Sequence, residues 1–426
     1  MISWIFYYNL ILQSFIASIL VINNIDYHYM INKISNEDSR FYGWLAVQYT
    51  MIMMPLGMLF VVMLFGYKNN RAIFQKYVHA PIIPLLSPKD NYIKYSLYIF
   101  YTISILSVLY VMITLKTIPL SGIFQGLGQE TLNILRQDAS RNFPGNLYIK
   151  NIFALGLTPI LSYIAFSYYK MTKNKIDLYW FILLFIASFM ILTYNIAKAP
   201  FIQYLLGFIF LNILINGRIQ RKTLIILSII ILGLLVTVYL LLAGSSGISF
   251  THLFHYNTGI LGRIILSQAA GTYLNFDLFP HIYDHIGFNS VSHFLSNLFG
   301  LEYSERSSRL IMMHIYPQRV ANGTIGVANS LFIGEAWANF GLIGVLLAPF
   351  YVGMLIQSIY MFFLSTPKTP LFLGLFTFFS YKGSVTGGFN DYIYNMSYIT
   401  LVFIFLWIYT QGFILKQICK ENKCQK

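Results

Sequence analysis

The sequence predicts an all-α polytopic membrane protein of about ten transmembrane helices, with one large outward-facing loop that carries short helices. Three observations predict it. Only 10% of the 426 residues are charged while 57% are hydrophobic and 18% aromatic, and mean hydropathy is +0.64, more apolar side chain than a soluble domain of this length can bury. The apolar residues come in runs of roughly 20, the length that crosses a hydrocarbon layer about 30 Å thick. Basic residues, finally, are shared unequally between alternate connections. Lipid offers the backbone no hydrogen-bond partner, so the runs are helices.

In order, the expected spans are Ile2–Ile22, Gly43–Phe65, Tyr95–Leu115, Ile149–Tyr169, Leu178–Asn195, Ala199–Ile215, Thr223–Leu242, Asn329–Leu364, Leu371–Ser384 and Tyr394–Leu415. The first has no basic n-region and no small-residue cleavage site, so it reads as a retained span rather than a signal peptide. The eighth is too long to be straight and is expected to kink or break. The chain thereby divides into a seven-helix N-terminal region (1–242), a large periplasmic or extracellular active-site loop (243–328), and a three-helix C-terminal region with a short cytoplasmic tail (329–426).

With the N-terminus inside, the even-numbered connections and the tail hold 16 basic residues and three acids, against 12 basic and 11 acidic residues elsewhere. By the positive-inside rule both termini are cytoplasmic. The net charge of +14 is therefore topological and implies no nucleic acid. Cys419 and Cys424 are the only cysteines, both in the tail, and offer neither a disulfide framework nor a zinc site. Richness in Ile, Asn, Lys and Tyr points to an AT-rich bacterial genome.

The first outer loop, NNIDYHYMINKISNEDSRFYGW, is polar, nearly neutral and short, and reads as a cover. In the second, ETLNILRQDASR has helical spacing and carries Arg136 and Arg141. Two guanidinium forks match a diphosphate; alternatively Glu130 and Asp138 neutralise them on a solvated face. Lys198, in the short connection TYNIAKAP, is a further candidate phosphate partner at the outer headgroup level, with snorkelling to lipid as the plain alternative.

The stretch from Gly244 to Gly344 holds six of the eight histidines, His252, His255, His281, His285, His293 and His314, with Arg263, Arg306, Arg309 and Arg319. TGILGRIILSQAAGTYLNF is amphipathic and short for a span, which suggests an interfacial or re-entrant element. Arg263 and Ser267 share one helical face there, and no acid lies within a turn of Arg263, so an anionic ligand is expected to meet it. HIYDH resembles an inverted zinc-protease helix with Asp for Glu, but Pro280 and Gly287 leave barely one turn, and spacing nominates no third ligand, so no metal is assigned. Glu302–Arg306 and Glu305–Arg309 are acid-to-base pairs at i, i+4. Arg319 and His314 lack such partners; Arg319 joins the diphosphate candidates, and His314 is a candidate general base. Glu335 lies near the outer end of a span, where an unpaired carboxylate is costly. It is either an acid/base group or half of a buried ion pair with Arg263 or Arg319. Gly334, Gly341 and Gly344 read first as close helix packing.

The outward loop with its GRIILSQAAGTY helix, followed by NSLFIGEAWANFGLIG at the start of a span, resembles the bacterial O-antigen and oligosaccharide repeat-unit polymerases, the Wzy family. These are related in fold to O-antigen ligases among the multi-helix GT-C-type glycosyltransferases. The resemblance covers the topology of the whole chain and local motifs from Thr258 to Gly344. It implies polymerisation of undecaprenyl-diphosphate-linked oligosaccharide repeat units at the outer face of the bacterial cytoplasmic (inner) membrane, for O-antigen, capsule or exopolysaccharide. No nucleotide sugar, metal or other cofactor is implied; a chain-length regulator and a flippase are the implied partners. By placement, Arg136, Arg141 and Arg263 match the outward arginines that hold the diphosphate. Ligases carry a His-Asn pair shortly before Gly-x-x-Gly, where this chain has Ala328 and Asn329, which counts against a ligase. On this reading cations offset the charge on the departing diphosphate and Glu335 or His314 takes the proton of the incoming hydroxyl. Gln268, Tyr273 and Asn329 hold the sugars, and transfer is expected to invert. A lipid-linked oligosaccharide flippase is the alternative; seven spans before the large loop and three after, with no internal repeat, speak against it.

Overall fold

A computed structural model describes residues 2–24, 28–66, 69–85, 91–115, 117–140, 142–217, 225, 229, 233, 259–382 and 384–424. Every regular element among them is a helix. In chain order the longer ones are α1 (Ile5–Ile22), α2 (Glu37–Leu64), α3 (Asn70–His79), α4 (Asn91–Thr114) and α5 (Gln129–Ser140). There follow α6 (Ile149–Thr172), α7 (Lys175–Thr193), α8 (Lys198–Asn216), α9 (Leu266–Leu278), α10 (Ser307–Ile315), α11 (Phe332–Ser365), α12 (Pro370–Lys382) and α13 (Met396–Cys424). Among the described residues eight stretches are long and apolar enough to cross a membrane: α1, α2, Ile93–Thr114, α6, α7, Ala199–Asn216, α11 and Asn390–Gln411. The chain is a polytopic membrane protein. Of the other two expected spans, Leu371–Ser384 corresponds to α12, which is apolar but short, and Thr223–Leu242 lies almost wholly outside the described residues.

The break expected in the eighth span falls at Gly341, with φ 56° and ψ −139°. Side chains rarely tolerate that backbone, and the imidazole of His285 stands 3.0 Å from where a Cβ would be.

Packing divides the chain into two compact units that cut across the consecutive blocks. One gathers Met1–Lys68, Ser245–Met361 and Gly383–Asn395; the other gathers Asn69–Gly244, Phe362–Lys382 and Met396–Lys426.

In the first unit α2 and α11 cross with their backbones in contact. A Cβ on Gly57 would overlap the carbonyl oxygen of Phe350, and one on Gly353 that of Met54. Such an approach needs residues without side chains. The centre of the unit is α9, in which eleven of thirteen residues are buried. This corrects the interfacial placement of its sequence: Ala269 to Leu278 is buried on every side, so the helix belongs to the core and not to a surface. Asp277 at its end accepts the backbone N–H groups of Ser35 (3.0 Å) and Asn36 (2.9 Å). Asn36 in turn caps α2 by accepting from the Asp38 N–H (2.9 Å). The first 12 residues of α1, Ile5–Ile16, wind as a π-helix. Its wider turn sets Asn9 against the loop after α12, where Nδ2 donates to Ser384 Oγ and Thr386 Oγ1, each at 3.2 Å.

The second unit is built round α6, whose membrane-length window is 72% buried. Its rings interlock with those of α7 and α8, for example Tyr163 with Phe208 at 4.7 Å between centroids. Asp177 accepts from Lys94 (2.9 Å) and Thr172 (2.6 Å). Lys368, counted above as a topological charge, is only 3% exposed. Its Nζ donates to the carbonyls of Val78 (2.7 Å), Ala80 (2.8 Å) and Ile215 (3.4 Å), terminal groups of α3 and α8, and burial pulls it down to about 8.

If the glycine crossing sets the approach of α2 and α11, Gly353→Ala should destabilise the protein by about 1–3 kcal/mol through overpacking. Gly326→Ala, whose nearest neighbour would be 3.9 Å away, should leave the melting temperature in detergent unchanged.

Candidate active site

In the first unit three distant stretches converge on one carboxylate. The N–H of Leu331 donates to Thr272 Oγ1 (2.9 Å) and that of Phe332 to the Val385 carbonyl (3.0 Å), which fixes the first turn of α11. Glu335 in that turn is 1% exposed. A carboxylate so buried needs donors or a counter-charge. Arg306 supplies both: Nε donates to Oε1 at 2.8 Å and Nη2 to Oε2 at 2.9 Å, the bidentate fork of guanidinium on carboxylate. The backbone N–H of Asn390 adds a third bond to Oε2 at 2.8 Å.

Arg306 precedes α10 in extended backbone, φ −64° and ψ 144°, so its side chain is free of helical register. Its Nη1 donates to Asp391 Oδ1 at 2.9 Å. Gly388 makes the room, because a Cβ there would overlap both Arg306 Nη2 and Glu335 Oε2. Asn390 anchors the same loop, with Nδ2 donating to the Ser290 carbonyl (2.9 Å) and Oδ1 accepting from Asn339 (2.8 Å).

Exposure rises along this row, from 1% at Glu335 to 31% at Arg306 and 48% at Asp391. Burial works against the Arg306 charge, but the hydrogen bonds and charge of Glu335, then of Asp391, outweigh it and raise its pKa above the ordinary value. Asp391 Oδ2 accepts no hydrogen bond among the described residues. The outcome is one accessible carboxylate whose direction is set by a fixed guanidinium.

Several expectations are corrected here. Glu335 is in an ion pair, with Arg306 rather than Arg263 or Arg319. With three bonds accepted and almost no exposure, neither of its oxygens faces a reactant. Arg306 is not held by Glu302, since it lies before the helix that the i, i+4 rule requires; Arg309 does meet Glu305 at 2.9 Å. Tyr273 is fully buried, against Gly43 where a Cβ would sit 2.5 Å from its ring, so no sugar reaches it. Arg263 and Ser267 do not form one face, because Ile265 interrupts the helix between them.

The other candidates stand apart. Arg263 is exposed in the short helix Ile260–Ile264, and its carbonyl accepts from Gln268 Nε2 at 3.3 Å. Arg319 is exposed, 4.4 Å over the Tyr316 ring. His314 is exposed, edge-on to Tyr283 at 6.2 Å. Asn329 is exposed while its carbonyl accepts from the Gly271 N–H at 3.0 Å. Arg136 belongs to the second unit, where its Nε donates to the Asn195 carbonyl at 3.1 Å. Arg141, His252 and His255 lie outside the described residues, as does the side chain of Lys198.

Asp391 and Asn390 escaped the sequence reading. The available signal was the Gly387–Gly388 pair just before them, since paired glycines mark backbone that something approaches closely. His28 was missed as well. It is fully buried, its Nδ1 accepts from the Met30 N–H (3.3 Å), and Nε2 therefore carries the proton towards Ser267 Oγ (2.9 Å). Comparison of the chain with protein-family models, curated proteins and solved structures finds no match.

Two tests follow from this geometry. Gly388→Ala should break the Arg306–Glu335 fork and destabilise the protein by about 3–5 kcal/mol, the cost of an uncompensated buried charge, read as a lower melting temperature. Burial lowers His28 from 6.5 to about 4, so the unfolded chain binds a proton there that the folded chain refuses. Its contribution to stability is complete above pH 6.5 and is lost as pH falls towards 4. Replacing it by Gln should flatten the melting temperature between those values relative to the wild type.

Proposed function

We propose that the protein is a glycosyltransferase that polymerises oligosaccharide repeat units linked to undecaprenyl diphosphate in a bacterial cytoplasmic membrane, at its outer face. The observation that carries this reading is the accessible Asp391 carboxylate, aimed by Arg306 and backed by Glu335. Its supports are the polytopic helical architecture and the resemblance of the surrounding segments to repeat-unit polymerases.

On this reading Asp391 replaces Glu335 as proton acceptor. The acceptor sugar hydroxyl gives its proton to Asp391 Oδ2 while its oxygen bonds to the anomeric carbon of the donor. The bond from that carbon to the diphosphate oxygen breaks, and the diphosphate leaves with the electron pair. Attack opposite the leaving group inverts the anomeric centre. Arg263 and Arg319 are exposed cations of the same unit and suit the negative charge that grows on the diphosphate. Arg306 itself is committed to two carboxylates, so its role is to orient.

The test is purified protein in liposomes with a lipid-linked repeat unit, the product resolved by size. Wild type should give a ladder. Asp391→Asn should lower kcat by about 10²–10⁴-fold, the range for a general base, with KM little changed; Arg263→Ala should raise KM. An Asp391→Asn ladder equal to wild type would reject Asp391 as the base. Carrier movement between leaflets without a ladder would replace the polymerase by a flippase.

A further inference from the structure

A cavity of about 640 Å³ lies in the first unit between the beginning of α2, the end of α9 and the kink of α11. Its shape follows from the glycine crossing. The two helix backbones touch at Gly57–Phe350 and at Gly353–Met54, whereas from Tyr49 back to Asp38 on one helix, and from Leu346 back to Trp337 on the other, the space between them is open. Tyr49, donating to the Leu346 carbonyl at 3.1 Å, closes the narrow end. Asp38 to Tyr49 covers ~16 Å of helix, about half of a hydrocarbon layer ~30 Å thick. The wedge thus has the depth of one leaflet.

Its chemistry changes along that depth. Ala46, Val345 and Phe276 line the inner part, while the lips Leu45, Leu342 and Leu346 are 48%, 64% and 45% exposed. In a membrane span such lips face lipid, so the cavity opens sideways to acyl chains. The mouth holds Asn36, Asp38, Ser39 and His281. Asp38 is exposed and in no ion pair among the described residues. Glu37 beside it is 77% exposed at the side chain, and Arg40 is turned inward to the carbonyls of Val21 and Ile31. Among the described residues no Lys or Arg lines the cavity.

We infer that this wedge is a binding site for a phospholipid with an ethanolamine headgroup, one acyl chain lying between α2 and α11. The ammonium meets the Asp38 carboxylate, and the phosphate oxygens meet the donor groups of His281, Ser39 and Asn36. An anionic lipid, including a lipid-linked diphosphate, finds Asp38 and no cation there, so the site is separate from any site for a glycan carrier. The inference does not depend on the proposed polymerase activity.

Trp337 lines the wedge and serves as reporter. The full chain with Trp4, Trp44, Trp180 and Trp407 changed to Phe is placed in phosphatidylcholine nanodiscs doped with brominated phosphatidylethanolamine or brominated phosphatidylglycerol. Quenching of Trp337 per mole of brominated lipid should be about threefold greater for the ethanolamine lipid, within the range an exposed ion pair supplies. Asp38→Asn should abolish the preference, Asp38→Glu should keep it, and Leu346→Phe, which narrows the wedge, should weaken quenching by both lipids. Equal quenching by the two lipids in the parent chain would mean ordinary boundary lipid and overturn the inference, as would a preference that survives Asp38→Asn.

Discussion

An ionised carboxylate taken out of water costs several kcal/mol unless donors converge on it, and the first unit is arranged around meeting that demand at Glu335. The donors come from far apart in sequence, a guanidinium from residue 306 and a backbone N–H from residue 390. Satisfying Glu335 therefore clamps the start of α11, the approach to α10 and the loop after α12 into one geometry. The absence of a side chain at Gly388 and the amide chain Asn339–Asn390–Ser290 are consequences of the same demand. The second unit solves a similar problem at Lys368 with three backbone carbonyls.

That clamp also explains how a buried pair gives a usable group. Glu335 is saturated and therefore chemically quiet; its effect is to hold Arg306 so firmly that an Nη1–H of the guanidinium can aim Asp391. The gradient of exposure from Glu335 to Asp391 separates the residue that fixes the geometry from the residue that is open to solvent. A single exposed carboxylate on a mobile side chain would lack that direction.

The glycine crossing of α2 and α11 is the second organising contact. Two helices that touch backbone to backbone at one level and diverge from there leave a wedge, and the break at Gly341 shapes its far wall. Close packing and a cavity of about 640 Å³ are thus two results of one geometry.

The spans were legible because hydrocarbon imposes its thickness on any helix that crosses it, whatever the neighbours; all eight span-length stretches among the described residues fall where runs of apolar residues stand. The break in α11 was legible from length alone. Partnership was not. Glu302 and Arg306 have ideal helical spacing in the sequence, yet Arg306 lies outside the helix and turns to residues 29 and 85 positions away. GRIILSQAAGTY looks like part of an interfacial or re-entrant element because it is amphipathic and short, with Arg263 and Ser267 on one face, yet a break at Ile265 leaves Arg263 exposed while Ser267 meets His28.

By itself, then, the sequence determined that this chain is helical, membrane-spanning and charged mainly in its connections, since each of those follows from local composition and the solvent around it. The tertiary structure alone decided which carboxylate is silenced and which is presented, which aromatic is core, and where two helices part to leave a wedge. Those outcomes depend on which distant segment supplies the missing hydrogen bond or the missing volume, and no local pattern encodes that.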